Sequence, residues 1–238
     1  MECWEIREFK NDLQFLVDLI EKYKVPCEIK VVYDLIGKFY EINNFEYSLY
    51  NIVFKIDKKI SGSQPDMEEY ELFFNNVIST SIEKQDNYDC ISNFLFEINI
   101  EGHISDRMNS LKSCWHLDKH IESQEGSDGI PKFTHPSYHF QFGGNFIESC
   151  EKGDLGILAN PRIPHPPMDI FLGFNFIINN FYNRNDYDFV NKLSLDYDYS
   201  CIIKRAQERL WQPYFKAFDI ANTHNDFTIN KVFPLYIS

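Results

Sequence analysis

Phe45-Glu46-Tyr47-Ser48-Leu49-Tyr50-Asn51-Ile52-Val53-Phe54-Lys55-Ile56 decides how the rest of the chain is read. Phe45, Tyr47 and Leu49 alternate with polar residues, which is the period of a strand with one buried face. Ile52, Phe54 and Ile56 alternate too, but the phase slips between Leu49 and Ile52, and such a slip predicts a β-bulge.

Before this strand, Ile6, Phe9, Leu13, Leu16, Val17 and Ile20 recur at steps of three and four. That spacing predicts an amphipathic helix ending before Pro26. From Cys27 the period becomes two, with Ile29, Val31, Tyr33 and Leu35 set against Glu28, Lys30, Val32 and Asp34, so a strand is expected. Gly37 and Asn43-Asn44 then read as turns, and residues 38–42 as another strand of the same meander.

After the strand, residues 61–66 form a loop, and Tyr70, Phe73, Phe74, Val77 and Ile78 return to helical spacing, although a strand fits nearly as well. Phe94, Phe96, Ile98 and Ile100 alternate as a strand turning at Gly102. Strand-like runs at 113–121 and 137–147 flank a loop at 122–131. The prolines of 160–167 prevent regular pairing, and Met168-Asp169 opens a buried helix reaching Tyr182. A further helix at 199–219 is broken or kinked at Pro213, and residues 232–237 return as an edge strand.

These expectations amount to an α+β fold: a mainly antiparallel, twisted meander sheet with an N-terminal amphipathic helix and buried C-terminal helices. One domain over 1–238 fits a chain of this length, with helix and sheet in 1–166 and a mostly helical part in 167–238.

A formal charge of −13 opposes binding that works by neutralising phosphates, so no direct nucleic-acid docking through a basic surface is expected. The strongest basic cluster, Lys204, Arg205 and Arg209, shares its helix with Glu208. Six cysteines are scattered singly with no C-x-x-C pair and no N-terminal apolar signal, which reads as free thiols in a cytoplasmic protein. No apolar run reaches the roughly 20 residues that cross a bilayer, 170–182 coming nearest.

Chemistry concentrates where five of the seven histidines lie, between 116 and 165. In Trp115-His116-Leu117-Asp118-Lys119-His120 a strand places His116, Asp118 and His120 on one face. In His135-Pro136-Ser137-Tyr138-His139-Phe140-Gln141 it places His139 and Gln141 together. His116 and His120 would stand about 13 Å apart on an extended strand and could meet one ion only with a strong bend, so a metal set of Asp118 with one flanking histidine, such as His120, joined by His139 or His135 from the neighbouring strand, fits better. Such a set is of the two-histidine, one-carboxylate kind that holds a divalent metal ion.

The same residues serve metal-free acid–base work, with Asp118 fixing the tautomer of a flanking histidine. Arg162 would then grip an oxyanion, and His165 would carry a second proton near the helix beginning at Asp169. The cluster also admits a purely structural reading, since histidines beside prolines often tie loops. Gly143-Gly144 reads as a strand-end turn, Phe171, Phe174, Phe176 and Phe181 as core, and His103 and His224 as surface residues.

The 115–120 and 135–141 runs, with Arg162-Ile163-Pro164-His165-Pro166-Pro167, resemble uncharacterised bacterial families encoded in toxin–antitoxin and phage-defence loci. The resemblance covers about a quarter of the chain at the level of pattern and implies a defence or toxin-like setting, without residue roles. Two functions follow as expectations: a hydrolase of phosphodiester or nucleotide bonds, or a non-catalytic subunit binding a protein partner in a larger complex.

Overall fold

The computed structural model describes residues 4–39, 45–60, 67–81, 89–104, 110–119, 136–143, 147, 162–218 and 232. Among them run α1 (Ile6–Tyr23), α2 (Lys30–Lys38), β1 (Glu46–Ile56), β2 (Met67–Thr80), β3 (Ile91–Ile104), β4 (Leu111–Lys119), β5 (Tyr138–Phe142) and β6 (Ile163–Pro164). Three helices complete the order: α3 (Ile170–Phe181), α4 (Asp188–Leu195) and α5 (Tyr197–Lys216). The strands form one antiparallel meander in sequence order. The fold is α+β, as expected.

β1 carries the anticipated bulge, its pairing with β2 shifting between Leu49 and Ile52. Asn51 takes the left-handed φ of 58° that the extra residue demands, and its N–H is satisfied by the Asn75 side chain at 2.8 Å. Tyr47, Leu49, Ile52, Phe54 and Ile56 therefore all stay buried on either side of the slip.

The strand expected at 27–35 is a helix instead. Val32, Leu35, Ile36 and Phe39 lie three and four apart, and these side chains of α2 and its C-cap pack on the core. Of that segment only Cys27 bridges to Phe54. Gly37 and Lys38 belong to the helix and not to a turn and a new strand. The helical spacing of 70–78 is likewise overturned in favour of the strand alternative, because those residues lie within β2, which pairs with β1 on one side and β3 on the other. β3 runs through Gly102, which pairs with Tyr70 and Leu111, and does not turn there. Ile163 and Pro164 do pair, as a two-residue strand on β5. The short α4 was not anticipated.

α1 and α3 cover one face of the sheet. Phe9 meets Phe45, Tyr47 and Phe171, and Phe54 meets Phe174. Gly173 permits the closest approach: a Cβ there would stand 2.3 Å from Phe74 Cζ. Asp169 caps α3 by accepting from the N–H groups of Phe171 and Leu172, and its other oxygen accepts from Arg209 at 2.7 Å. The Arg209 guanidinium lies 5.0 Å from the Phe9 ring centroid and 5.3 Å from that of Trp4. Arg205 is bound by Asp12 of α1. Two of the three cations in the C-terminal basic cluster are thus spent on internal carboxylates. No helix among the described residues is long and apolar enough to cross a membrane.

Candidate functional site

Alternation sorts the sheet into an apolar face under the helices and a polar face opposite. On β3, Phe94, Phe96, Ile98 and Ile100 point into the core, so Glu97 and Asn99 point away from it. On β4 the outward set is Cys114, His116 and Asp118; on β5 it is His139 and Gln141. The register then sets Glu97 beside His116, His116 beside Gln141, and Asp118 beside His139. The expected convergence of two strands is present.

His116 is the hub. Its Nδ1 lies 2.9 Å from the Gly143 carbonyl and its Nε2 3.0 Å from Asp118 Oδ2. Both partners only accept, so these two contacts favour the ring protonated on both nitrogens. The Gln141 amide nitrogen stands 2.5 Å from the same Nε2, and its Oε1 has no hydrogen-bond partner; turning the amide over gives that oxygen to a protonated His116 Nε2. Burial pulls the His116 pKa down, but Asp118, the Gly143 carbonyl and Glu97 outweigh it, and the net shift is upward.

Glu97 extends the network. Its Oε2 accepts from Asn75 Nδ2 at 2.8 Å and Asn99 Nδ2 at 3.1 Å. Asn75 in turn accepts from the Asn51 bulge, so hydrogen bonds and charge link the β1 bulge to the end of β5. Cys114 stands 4.0 Å from Glu97 Oε1; burial, then Glu97 and Asp118, push its pKa up to about 12. A thiol so held stays protonated and is no nucleophile near neutrality.

Exposure separates the members. His116 is 8% exposed and His139 5%, whereas the Asp118 side chain is 41% exposed. His139 Nδ1 faces the Pro136 carbonyl at 3.4 Å. The outward group of the cluster is thus a carboxylate.

Of the other expected site residues, Arg162 immediately precedes β6, whose Pro164 pairs with His139. His165 lies on the opposite, apolar face: its ring is 5.7 Å from Phe140, which packs on Phe96 and Phe176, and its Nδ1 is 2.7 Å from the Pro166 carbonyl. Burial lowers its pKa. His165 is therefore not a partner of His116. His120 and His135, half of the expected metal set, lie outside the described residues, as does His224; His103 is exposed. Among the described residues no three His, Cys, Asp or Glu side chains are grouped to hold a metal ion.

Glu97, Asn75 and Asn99 were missed in the sequence, although alternation along β3 pointed to the first and last. A second buried cluster was missed entirely: Asp89 accepts from Tyr138 at 2.8 Å and pairs with Lys119 at 3.0 Å. Compared with protein-family models, with curated proteins and with solved structures, the chain finds a match in none of the three.

Proposed function

We propose that the chain is a non-catalytic interaction subunit and that the His116 network braces its outer sheet face. The observation that carries this reading is the state of His116, whose two nitrogens are both committed to internal acceptors inside a nearly sealed pocket. A general base needs a nitrogen that can reach a substrate proton, and this ring offers none. Large apolar side chains meanwhile stand in solvent, among them Phe15, Tyr50, Leu195, Tyr197 and Phe215, and such groups favour a role in binding protein.

The resemblance to defence-locus families directs the search for the partner to products of adjacent genes. Size-exclusion chromatography of the purified chain with each neighbour tests the reading: co-elution supports it, and a chain that binds none of them while turning over a nucleotide or phosphodiester overturns it.

A hydrolytic reading is favoured by one observation, the exposed Asp118 carboxylate held beside an imidazolium and across from His139. It predicts turnover that Asp118→Asn abolishes, assayed with and without added divalent cations.

A further inference from the structure

We propose that Gln141 is the moving part of a proton-operated switch: its amide turns over as His116 gains or loses a proton, and the exposed Asp118 carboxylate is captured or released with it. The motive is a contradiction at one atom. His116 Nε2 lies 3.0 Å from Asp118 Oδ2, which only accepts, and 2.5 Å from Gln141 Nε2, which only donates. The first contact needs a proton on the ring nitrogen and the second needs its lone pair. No single state of the ring serves both contacts, but two states serve one each.

The opposite side of the ring decides which two states these are. Gly143 follows β5 at φ 109°, and its own N–H donates to the Cys114 carbonyl at 2.9 Å, which holds its carbonyl 2.9 Å from His116 Nδ1. That carbonyl only accepts, so Nδ1 keeps its proton whether the ring is charged or neutral. All of the titration therefore falls on Nε2. In the charged state Asp118 Oδ2 and the oxygen of the turned amide share the Nε2 proton. In the neutral state Gln141 Nε2 donates to the bare ring nitrogen, and Asp118, losing its donor, turns to the water that its 41% exposed side chain already meets. The motion needs side chains only, because Gln141 stands directly across from His116 and its amide reverses about one soft bond.

Several terms set the balance. Burial favours the neutral ring, but Asp118, the Gly143 carbonyl and Glu97 outweigh it, which moves the exchange upward from the ordinary 6.5. The unturned amide also leaves Gln141 Oε1 without a partner, and that cost weights the pair toward the charged state. Besides Asp118, the titratable groups on the strands around the ring, among the described residues, are Glu97 on β3, Cys114 on β4 and His139 on β5. Cys114 keeps its proton across the neutral range. Among the described residues no third ligand joins His116 and Asp118 to hold a metal ion.

The arrangement carries a buried event to the surface. His116 is only 8% exposed, so a molecule outside cannot read its charge directly, whereas Asp118 is open to contact. Protonation leaves that carboxylate neutralised against the ring, and deprotonation presents it as a free anion on the polar face of the sheet.

Nitrogen NMR of the isotope-labelled chain in chelator-treated buffer, from about pH 5 to 9, tests the switch. Above the transition a coupling through the hydrogen bond is expected between Gln141 Nε2 and His116 Nε2, with the neutral ring protonated on Nδ1. Below it the coupling vanishes, and the Gln141 amide protons and the Asp118 carboxyl carbon shift at the same midpoint as the ring. Gln141→Leu removes the donor to the neutral ring and leaves Asp118 in place, so the His116 midpoint is expected to rise by about half a pH unit. A coupling absent at every pH, or present at every pH, overturns the proposal, as does a neutral ring protonated on Nε2 or a midpoint unmoved in Gln141→Leu. The wild-type coupling decides the matter even where the variant fails to fold. These measurements contain the chain alone, so their failure leaves the proposed binding of another protein to its own test.

Discussion

Two ion pairs in this molecule join an acid to a nitrogen base at similar distance, and they behave oppositely. Asp169 and Arg209 meet at 2.7 Å with water excluded, and Asp169 at the same time caps α3. His116 and Asp118 meet at 3.0 Å on the far face of the sheet, where the carboxylate remains open to solvent. The first pair fixes the position of a helix. The second has a protonatable member near neutrality, so its strength depends on pH. Depth and chemical type, not distance, separate an anchor from an adjustable brace.

The contrast is broken most severely at the anchor. Arg209→Leu leaves the Asp169 carboxylate buried without its cation and is expected to cost about 3–5 kcal/mol in urea unfolding. A loss below about 1 kcal/mol would mean that the pair is not desolvated as described. Gly173→Ala, one turn into the helix the anchor holds, forces a methyl against Phe74 and Phe96; a loss of about 3 kcal/mol is expected from the same measurement.

At the brace the effect is smaller and depends on pH. His116→Asn is expected to cost about 2 kcal/mol at pH 6, where the imidazolium donates to two acceptors. Because the folded pKa is raised, this stabilisation is complete below the unfolded value of about 6.5 and is lost as pH rises through the folded value. His165 has the opposite sign: its folded pKa is lowered, so its contribution is present above about 6.5 and lost as pH falls. Unfolding titrations from pH 5 to 9, a range chosen to span about 6.5, sharpen the comparison. The wild type should lose stability above neutrality and His116→Asn should not; parallel curves would remove the imidazolium from the account. The smallest effect belongs to Asp196→Ala, which loses the α5 cap and its bonds to Tyr23 and Lys22 for about 1 kcal/mol.

Strict patterns were legible and mixed ones were not. The α1 stripe, the β1 bulge and the pairing of the 116–118 face with 139–141 all follow from periodicity over six or more residues. Residues 29–35 misled because Val31, Val32 and Tyr33 fit a strand as readily as a helix face, and only the contact with β1 decides between them. In β2 the opposite happened: Phe73 and Val77 are apolar on the polar side of the sheet, so the alternation is blurred. At the site the sequence specified which side chains share a face. It did not specify protonation, because that depends on the Gly143 carbonyl and on Glu97, which approach only through tertiary pairing.

The bulge at Asn51 also bears on which surfaces stay closed to other chains. β1 is an outer strand of the sheet, and its second half is shielded by the turn before α2: Glu28 N–H donates to the Val53 carbonyl and Lys55 N–H to that of Pro26. Where that shield stops, the extra residue twists the strand, and a twisted rim is a poor template for a further strand. Among the described residues the opposite rim, β6, is two residues long. A sheet so finished resists growing by accretion, the route by which proteins rich in β structure fall out of solution.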